Sequence, residues 1–208
     1  MRAVIFDLDG TLIDSAPDIA ATVNHVLAAD GLAPLEERAI REMIGDGAKT
    51  LLERAFAAHG KRPEPRHLMA FVADYQANPV AETVCYPGIR ELVAALHGQG
   101  RPLGICTNKP MAPTRPILEA LGLTPYFSAV VGGDATPYKK PDPRHLAATL
   151  AALEVSDAVM IGDHVNDMRV AEGLGIPGIF AAWGYGEAES PFVAATPADI
   201  VEILIKMG

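Results

Sequence analysis

Val4-Ile5-Phe6-Asp7-Leu8-Asp9-Gly10-Thr11 is an apolar run that breaks into two carboxylates one residue apart and then into a Gly-Thr turn. A carboxylate at the end of a buried strand is costly to desolvate unless a cation or dense hydrogen bonding compensates. Residues two apart on an extended chain point the same way, so Asp7 and Asp9 can address one site. Taken alone, the same residues fit an Asp-Gly turn with solvated acids. The rest of the chain separates the two readings.

Short apolar runs recur at 3–6, 103–106, 129–131, 158–161 and 178–181. Most are continuous rather than alternating, which predicts strands buried on both faces, as in a parallel sheet between helices. Helical spacing fills the gaps between them. Ile89, Leu92, Val93 and Leu96 precede Gly98; Ile117, Leu118 and Leu121 precede Gly122; Leu146, Leu150 and Leu153 follow, and Ile200, Ile203 and Leu204 lie near the end. The pattern predicts an α/β fold with a doubly wound, Rossmann-like parallel sheet, whose ligands sit outside the carboxyl ends of the strands.

Residues 15–84 carry no strand signal and read as helices. Ile19, Val23, Val26 and Leu27 form one stripe, stopped by Gly31; Leu51, Leu52, Ala55 and Phe56 form another, stopped by Gly60. Leu68, Val72 and Tyr75 form a third, ended by Asn78-Pro79, and a shorter helix is expected over 38–44. The expected organisation is therefore a core of residues 1–14 and 85–208 with an all-helical insertion over 15–84. Entering beside the acid pair, the insertion reads as a lid, the alternative being a helical subdomain used for dimerisation.

Composition limits the partners. The 17 basic against 26 acidic residues give a net charge of −9, with no basic cluster to track a nucleic-acid backbone. No apolar stretch approaches the roughly 18 residues of a membrane span, so neither a membrane nor a nucleic-acid partner is expected, and the expected location is cytoplasmic. Cys85 and Cys106 lack metal-like spacing, and Cys106 reads as a small buried residue in a strand. The chain is read as a monomer or homodimer.

Each of the first four core strands ends in polar residues: Asp7 and Asp9, then Thr107-Asn108, then Asp134 with Lys140 beyond it, then Asp163. In this order they resemble the motifs of the haloacid dehalogenase superfamily of phosphatases: Asp7 to Thr11, Thr107, Lys140, and Gly162-Asp163 followed by Asp167. Within that superfamily the chain is most similar to bacterial phosphoglycolate phosphatases. That narrower likeness lies in Asp14-Ser15-Ala16-Pro17-Asp18, Gly45-Asp46-Gly47-Ala48, Thr107-Asn108-Lys109-Pro110, and Gly132-Gly133-Asp134 leading to Lys139-Lys140-Pro141-Asp142-Pro143.

The resemblance implies a Mg²⁺-dependent phosphomonoesterase acting on a small anionic phosphoester, 2-phosphoglycolate first, through an aspartyl-phosphate. Asp7 is then the nucleophile and Asp9 the general acid and base. Asp7 and Asp163 with the Asp9 carbonyl hold the metal, and Asp167 supports a metal water or Lys140, or else is a helix N-terminal charge. Thr107 and Lys140 face the phosphoryl group, with backbone N–H groups near Gly10 and Asn108 completing the cradle. Gly45 and Gly47, introducing a helix, and Lys49 are expected at the substrate's other end. Lys109 and Arg115 fit either substrate contact or solvent. His164 stands where relatives often have a small hydroxyl residue and reads as a neighbour of the site; Trp183 and Tyr185 shape a loop beside it. The alternatives are a phosphatase of another small phosphoester or pyrophosphate, a phosphoglucomutase-type phosphotransferase, and a catalytically retired binding module. The last should lack a catalytic carboxylate, and none is missing.

Overall fold

Ala3, Val4, Ile5 and Phe6 are all fully buried, so the strand they form needs apolar neighbours on both faces. In the computed structural model, which describes residues 1–207, that strand is β1 (Ala3–Phe6). It is followed by β2 (Ile13–Asp14), then α1 (Ala16–Ala29), α2 (Glu37–Arg41), α3 (Ala48–Ala57) and α4 (Pro65–Ala77). The chain returns through β3 (Val84–Cys85) to α5 (Ile89–Gly98), β4 (Leu103–Cys106), α6 (Met111–Ala120) and β5 (Ala129–Val131). It ends with α7 (Pro143–Ala152), β6 (Ala158–Gly162), α8 (Val165–Gly173), β7 (Gly178–Ala181), β8 (Phe192–Ala194) and α9 (Pro197–Lys206).

The main sheet has six parallel strands in the order β5-β4-β1-β6-β7-β8. Alternate residues of β1 enter different cores. Val4 and Phe6 join Leu92, Ile105, Ile117, Ile161 and Ile200 on one face, while Ala3 and Ile5 join Leu146, Met160 and Val170 on the other. This double burial produces the unbroken apolar runs. The chain builds outward from β1 to β4 and β5, then crosses to the other side of β1 for β6, β7 and β8, which makes the carboxyl end of β1 the switch point of the sheet. Register keeps the ends level, with Phe6 beside both Ile105 and Ile161.

Helices α1 to α4 form a third, separate core of Ile19, Val23, Leu27, Ile40, Leu52, Phe56 and Phe71, among others. Two expectations need correction. Residue 84 is not helical or loop: Val84 and Cys85 pair antiparallel with Asp14 and Ile13 as a two-stranded ribbon where the chain enters and leaves the helices. The strand β8 at the sheet edge also went unforeseen. The ribbon strands have two residues each, too few for a hydrophobic period, and in the edge strand β8 only Ala194 is buried, with Val193 exposed, so it lacks the double burial of the inner strands. No described helix is long and apolar enough to cross a membrane.

Asp18 in the first turn of α1 fastens the ribbon's return strand. Its buried carboxylate accepts from the N–H groups of Ala81, Glu82 and Thr83 at 2.9–3.1 Å and from Thr83 Oγ1 at 2.6 Å. These are charge-assisted bonds to backbone donors that have no ladder of their own. Asp18→Ala should therefore cost about 1–3 kcal/mol and lower Tm by several degrees in a thermal melt; an unchanged Tm would show that the segment is held by other means.

Candidate active site

The first residue past β1 is Asp7, and the sheet fixes its backbone, since its N–H donates to Ile161 O at 2.8 Å. Its side chain is almost fully buried. Asp7 Oδ1 lies 2.7 Å from Lys140 Nζ, yet in a geometry that makes no hydrogen bond, so this oxygen is not satisfied within the chain. Lys140 Nζ instead donates to Asp167 Oδ1 at 2.6 Å. The other Asp167 oxygen accepts from His164 N at 3.0 Å, in the capping box that starts α8. Asp163, next after β6, accepts from Thr11 Oγ1 at 2.9 Å and Tyr185 N at 2.8 Å. Gly10 permits that approach, because with φ at +81° any Cβ would stand 2.2 Å from Asp163 Oδ2.

Three buried carboxylates thus face one ammonium. Asp7, Asp163 and Asp167 each offer an oxygen, all within 4.8 Å of one another. Burial pushes Asp7 up to about 6, with Lys140 opposing and Asp167 adding to the rise. Burial, then Asp7 and Asp167, push Asp163 up to about 7. Burial alone would lower Lys140, but Asp167 and Asp7 hold it above the ordinary lysine range. An excess of buried oxygen anions, one of them unsatisfied, fits a hard divalent cation. The Asp9 carboxylate is not in this cluster.

Asp9 points to a second region. Its Oδ1 accepts from Ser15 Oγ at 2.5 Å and from Lys109 Nζ at 2.9 Å, and Lys109 Nζ also reaches Tyr75 OH of α4 at 2.8 Å. Asp9, Lys109 and Tyr75 line a cavity of about 80 Å³ between the strand ends and the helices. Asp7, Thr107, Asn108, Gly45 and Gly47 line it too, with apolar walls from Ile19, Leu51, Phe71 and Pro113. Thr107 Oγ1 accepts from Lys109 N at 3.1 Å. Asn108 joins three strands of chain: it exchanges bonds with the backbone N–H and C=O of Lys140 and donates to Gly45 O at 3.0 Å. Gly45 crosses close to His164, whose ring a Cβ would meet at 2.9 Å.

Not every sequence expectation is gathered here. Lys49 is exposed on the outside of α3, with Glu53 3.9 Å away, because the helix turns that position away from the cavity. Asp134 is exposed and accepts from Met111 N at the start of α6. Arg115 lines a different surface cleft. Asp46 carries less free charge than its sequence implies, being paired with Arg54 and accepting from Asn166 Nδ2 at 2.7 Å. Burial would raise it, but Asn166 and then Arg54 hold it below the ordinary range.

Several contacts at the site leave no mark on local spacing, although the sequence does put Tyr185 in a loop beside it. Tyr75 reads as a stripe residue, and only its hydroxyl contact with Lys109 distinguishes it. Tyr185 holds Asp163 through its N–H while its hydroxyl meets the N–H groups of Ser15 and Ala16. His145 Nε2 lies 3.1 Å from Thr107 O, and burial lowers its basicity. Each is a contact between distant segments, invisible to local spacing.

The raised carboxyls give a signed prediction. Protonation of Asp7 and Asp163 is easier in the folded chain than in the unfolded one, so without a cation their contribution to stability is complete below about pH 4. It is lost as the pH rises through about 6 and about 7. A saturating divalent cation such as Mg²⁺ should raise Tm more at about pH 8 than at about pH 5, as melts against a chelator control would read. An equal rise at both pH values would contradict the cluster's titration.

Comparison with known proteins identifies the family. Residues 4–181 match the family model for haloacid dehalogenase-like hydrolases. The phosphoglycolate phosphatase of Rhodospirillum rubrum is 43% identical over 194 residues, covering 88% of this chain and 80% of that protein. That of Agrobacterium fabrum is 38% identical over 221 residues, covering 98% and 94%. The crystal structure of a predicted phosphoglycolate phosphatase from Haemophilus somnus 129PT superposes with a TM-score of 0.90 at 29% identity, covering 98% of each chain. A motif set in order, a family match over most of the length and relatives near 40% identity lead to one conclusion: this chain belongs to the haloacid dehalogenase-like hydrolases, and among them it is a phosphatase.

Proposed function

We propose that the chain is a Mg²⁺-dependent phosphomonoesterase that hydrolyses 2-phosphoglycolate through an aspartyl-phosphate on Asp7. The observation that carries this reading is the division of labour at the end of β1. Asp7 faces Lys140 and the carboxylate cluster, while Asp9, two residues on, faces the cavity. The names of the Rhodospirillum and Agrobacterium relatives support the choice of substrate.

In this reading Asp7, Asp163 and the Asp9 carbonyl would hold Mg²⁺, which would supply positive charge to offset that of the carboxylates and the phosphoryl oxygens. Asp7 attacks phosphorus; the phosphoryl passes to its carboxylate and the bond to the leaving oxygen breaks. Lys140, fixed by Asp167 and by the Asn108 clasp on its backbone, places its charge against the same oxygens. Thr107 Oγ1 accepts from Lys109 N, so its own proton is available to a phosphoryl oxygen.

Both bonds to the Asp9 carboxylate fall on Oδ1, leaving Oδ2 to carry the proton. Asp9 protonates the leaving alkoxide, then takes a proton from the water that hydrolyses the aspartyl-phosphate. The small cavity admits a short leaving group. On its helical side the first turn of α3, opened by Gly47, has no side-chain cap, so its N–H groups suit an anion. We read residues 15–84 as a cap that closes over the site, hinged near Ser15 and Thr83 on the β2–β3 ribbon.

Steady-state assays at fixed Mg²⁺ test the reading. 2-Phosphoglycolate should give the highest kcat/KM in a panel with sugar phosphates, nucleotides and pyrophosphate; preference for a hexose phosphate or nucleotide would overturn the substrate choice. Asp7→Asn should lose at least about 10³-fold in kcat and Asp9→Asn about 10²- to 10⁴-fold. If Asp9→Asn changed only KM, its role as acid and base would fail.

A further inference from the structure

Lysines are mostly exposed, yet Lys109 is 7% exposed and its ammonium lies inside the fold. It is not a structural ion pair remote from the chemistry, because Lys109 lines the cavity beside Asp7 and Asp9. An ammonium has three donors. Asp9 Oδ1 and Tyr75 OH take two of them, and the Tyr75 ring lies beneath the charge, its centroid 4.5 Å from Nζ.

Lys139 stands at the rim, exposed, with its Nζ 3.4 Å from where a Cβ on Gly47 would lie, and the other cations near the site are paired elsewhere. Lys140 is held by Asp7 and Asp167, Arg41 by Asp14 and Glu37, and Arg54 by Asp46. None of them lines the cavity, and neither does Lys49. A leaving group that carries its own negative charge therefore meets two carboxylates, Asp7 and Asp9, and one ammonium. Resting on the function proposed above, we infer that Lys109, steadied by the Tyr75 hydroxyl, supplies the full positive charge that, beside the N–H groups of the first turn of α3, receives the anionic end of the leaving group and selects carboxylated phosphoesters over neutral ones. The receptor is shared, since Lys109 follows β4 and Tyr75 belongs to α4. Its two halves come together only when the helices sit over the strand ends.

The competing role for Lys109 is to position Asp9, which would serve every ester alike. The ratio of kcat/KM for 2-phosphoglycolate to that for ethyl phosphate, which has a methyl group in place of the carboxylate, separates the two roles. It should be measured with Mg²⁺ on the full chain and on Lys109→Met, Lys109→Arg and Tyr75→Phe, each checked for folding by circular dichroism. Loss of one charge-assisted contact should lower the ratio about 10- to 100-fold in Lys109→Met, with partial recovery in Lys109→Arg. Tyr75→Phe should lower it by a smaller factor, chiefly through KM for 2-phosphoglycolate. Equal losses on both esters in Lys109→Met would overturn the inference and leave the proposed function standing. Should Lys109→Met fail to fold, an unchanged ratio in Tyr75→Phe would overturn it. If the wild type turns over a sugar phosphate better than 2-phosphoglycolate, the proposed substrate falls, while the ratio of the two esters still decides whether Lys109 selects for charge.

Discussion

The ion cluster of Lys140 with Asp7 and Asp167 is the constraint around which the strand ends are built. Its groups come from after β1, from the segment between β5 and α7, and from the first turn of α8. Burying these charges is unfavourable unless geometry and hydrogen bonds compensate, and the neighbouring backbone is shaped to provide that. Asn108 clasps the Lys140 backbone from both sides, the start of α8 holds Asp167, and Thr11 with Tyr185 holds Asp163. The cluster holds more carboxylates than ammonium groups, and Asp7 Oδ1 makes an ion pair with Lys140 but no directed hydrogen bond. A structural ion pair would be closed; this one is built to receive something.

A second constraint acts between the two apolar cores. The sheet and the α1–α4 helices bury separate sets of side chains, and polar contacts run between them. Asn108 reaches Gly45, Asn166 reaches Asp46, and Lys109 reaches Tyr75. Such contacts exchange for water at low net cost, unlike an interdigitated apolar interface. The short ribbon and the Asp18 clasp keep the two crossings together. The proposed closure of residues 15–84 over the site would use this interface, which joins two separately packed cores.

Much of this was legible in the sequence because it is local. Runs buried on both faces announced β1, β4, β5, β6 and β7, and the polar residues ending them announced the site. The cap stripes Ile19 to Leu27 and Leu51 to Phe56 were visible as helical spacing. The two-residue ribbon strands were not, being too short for a period, and neither was β8, an edge strand with only Ala194 buried. Nor was the inward turn of Lys109 or the outward turn of Lys49, since both depend on which face of a loop or helix meets a distant segment. Asp46 shows the same limit: its charge is plain in the sequence, its pairing with Arg54 and its hydrogen bond from Asn166 are not. Tyr185 bridges Asp163 to Ser15 across most of the chain, and no spacing rule reaches that far.

The division of roles between Asp7 and Asp9 is tested most directly by trapping the covalent species. Asp9→Asn, incubated with Mg²⁺ and 2-phosphoglycolate and quenched in acid, should be read by intact mass and peptide mapping. The account predicts one phosphoryl group on the peptide containing Asp7, absent when Asp7 is also replaced by Asn. Phosphate release without any protein-bound phosphoryl group, or a phosphoryl group on another residue, would contradict it.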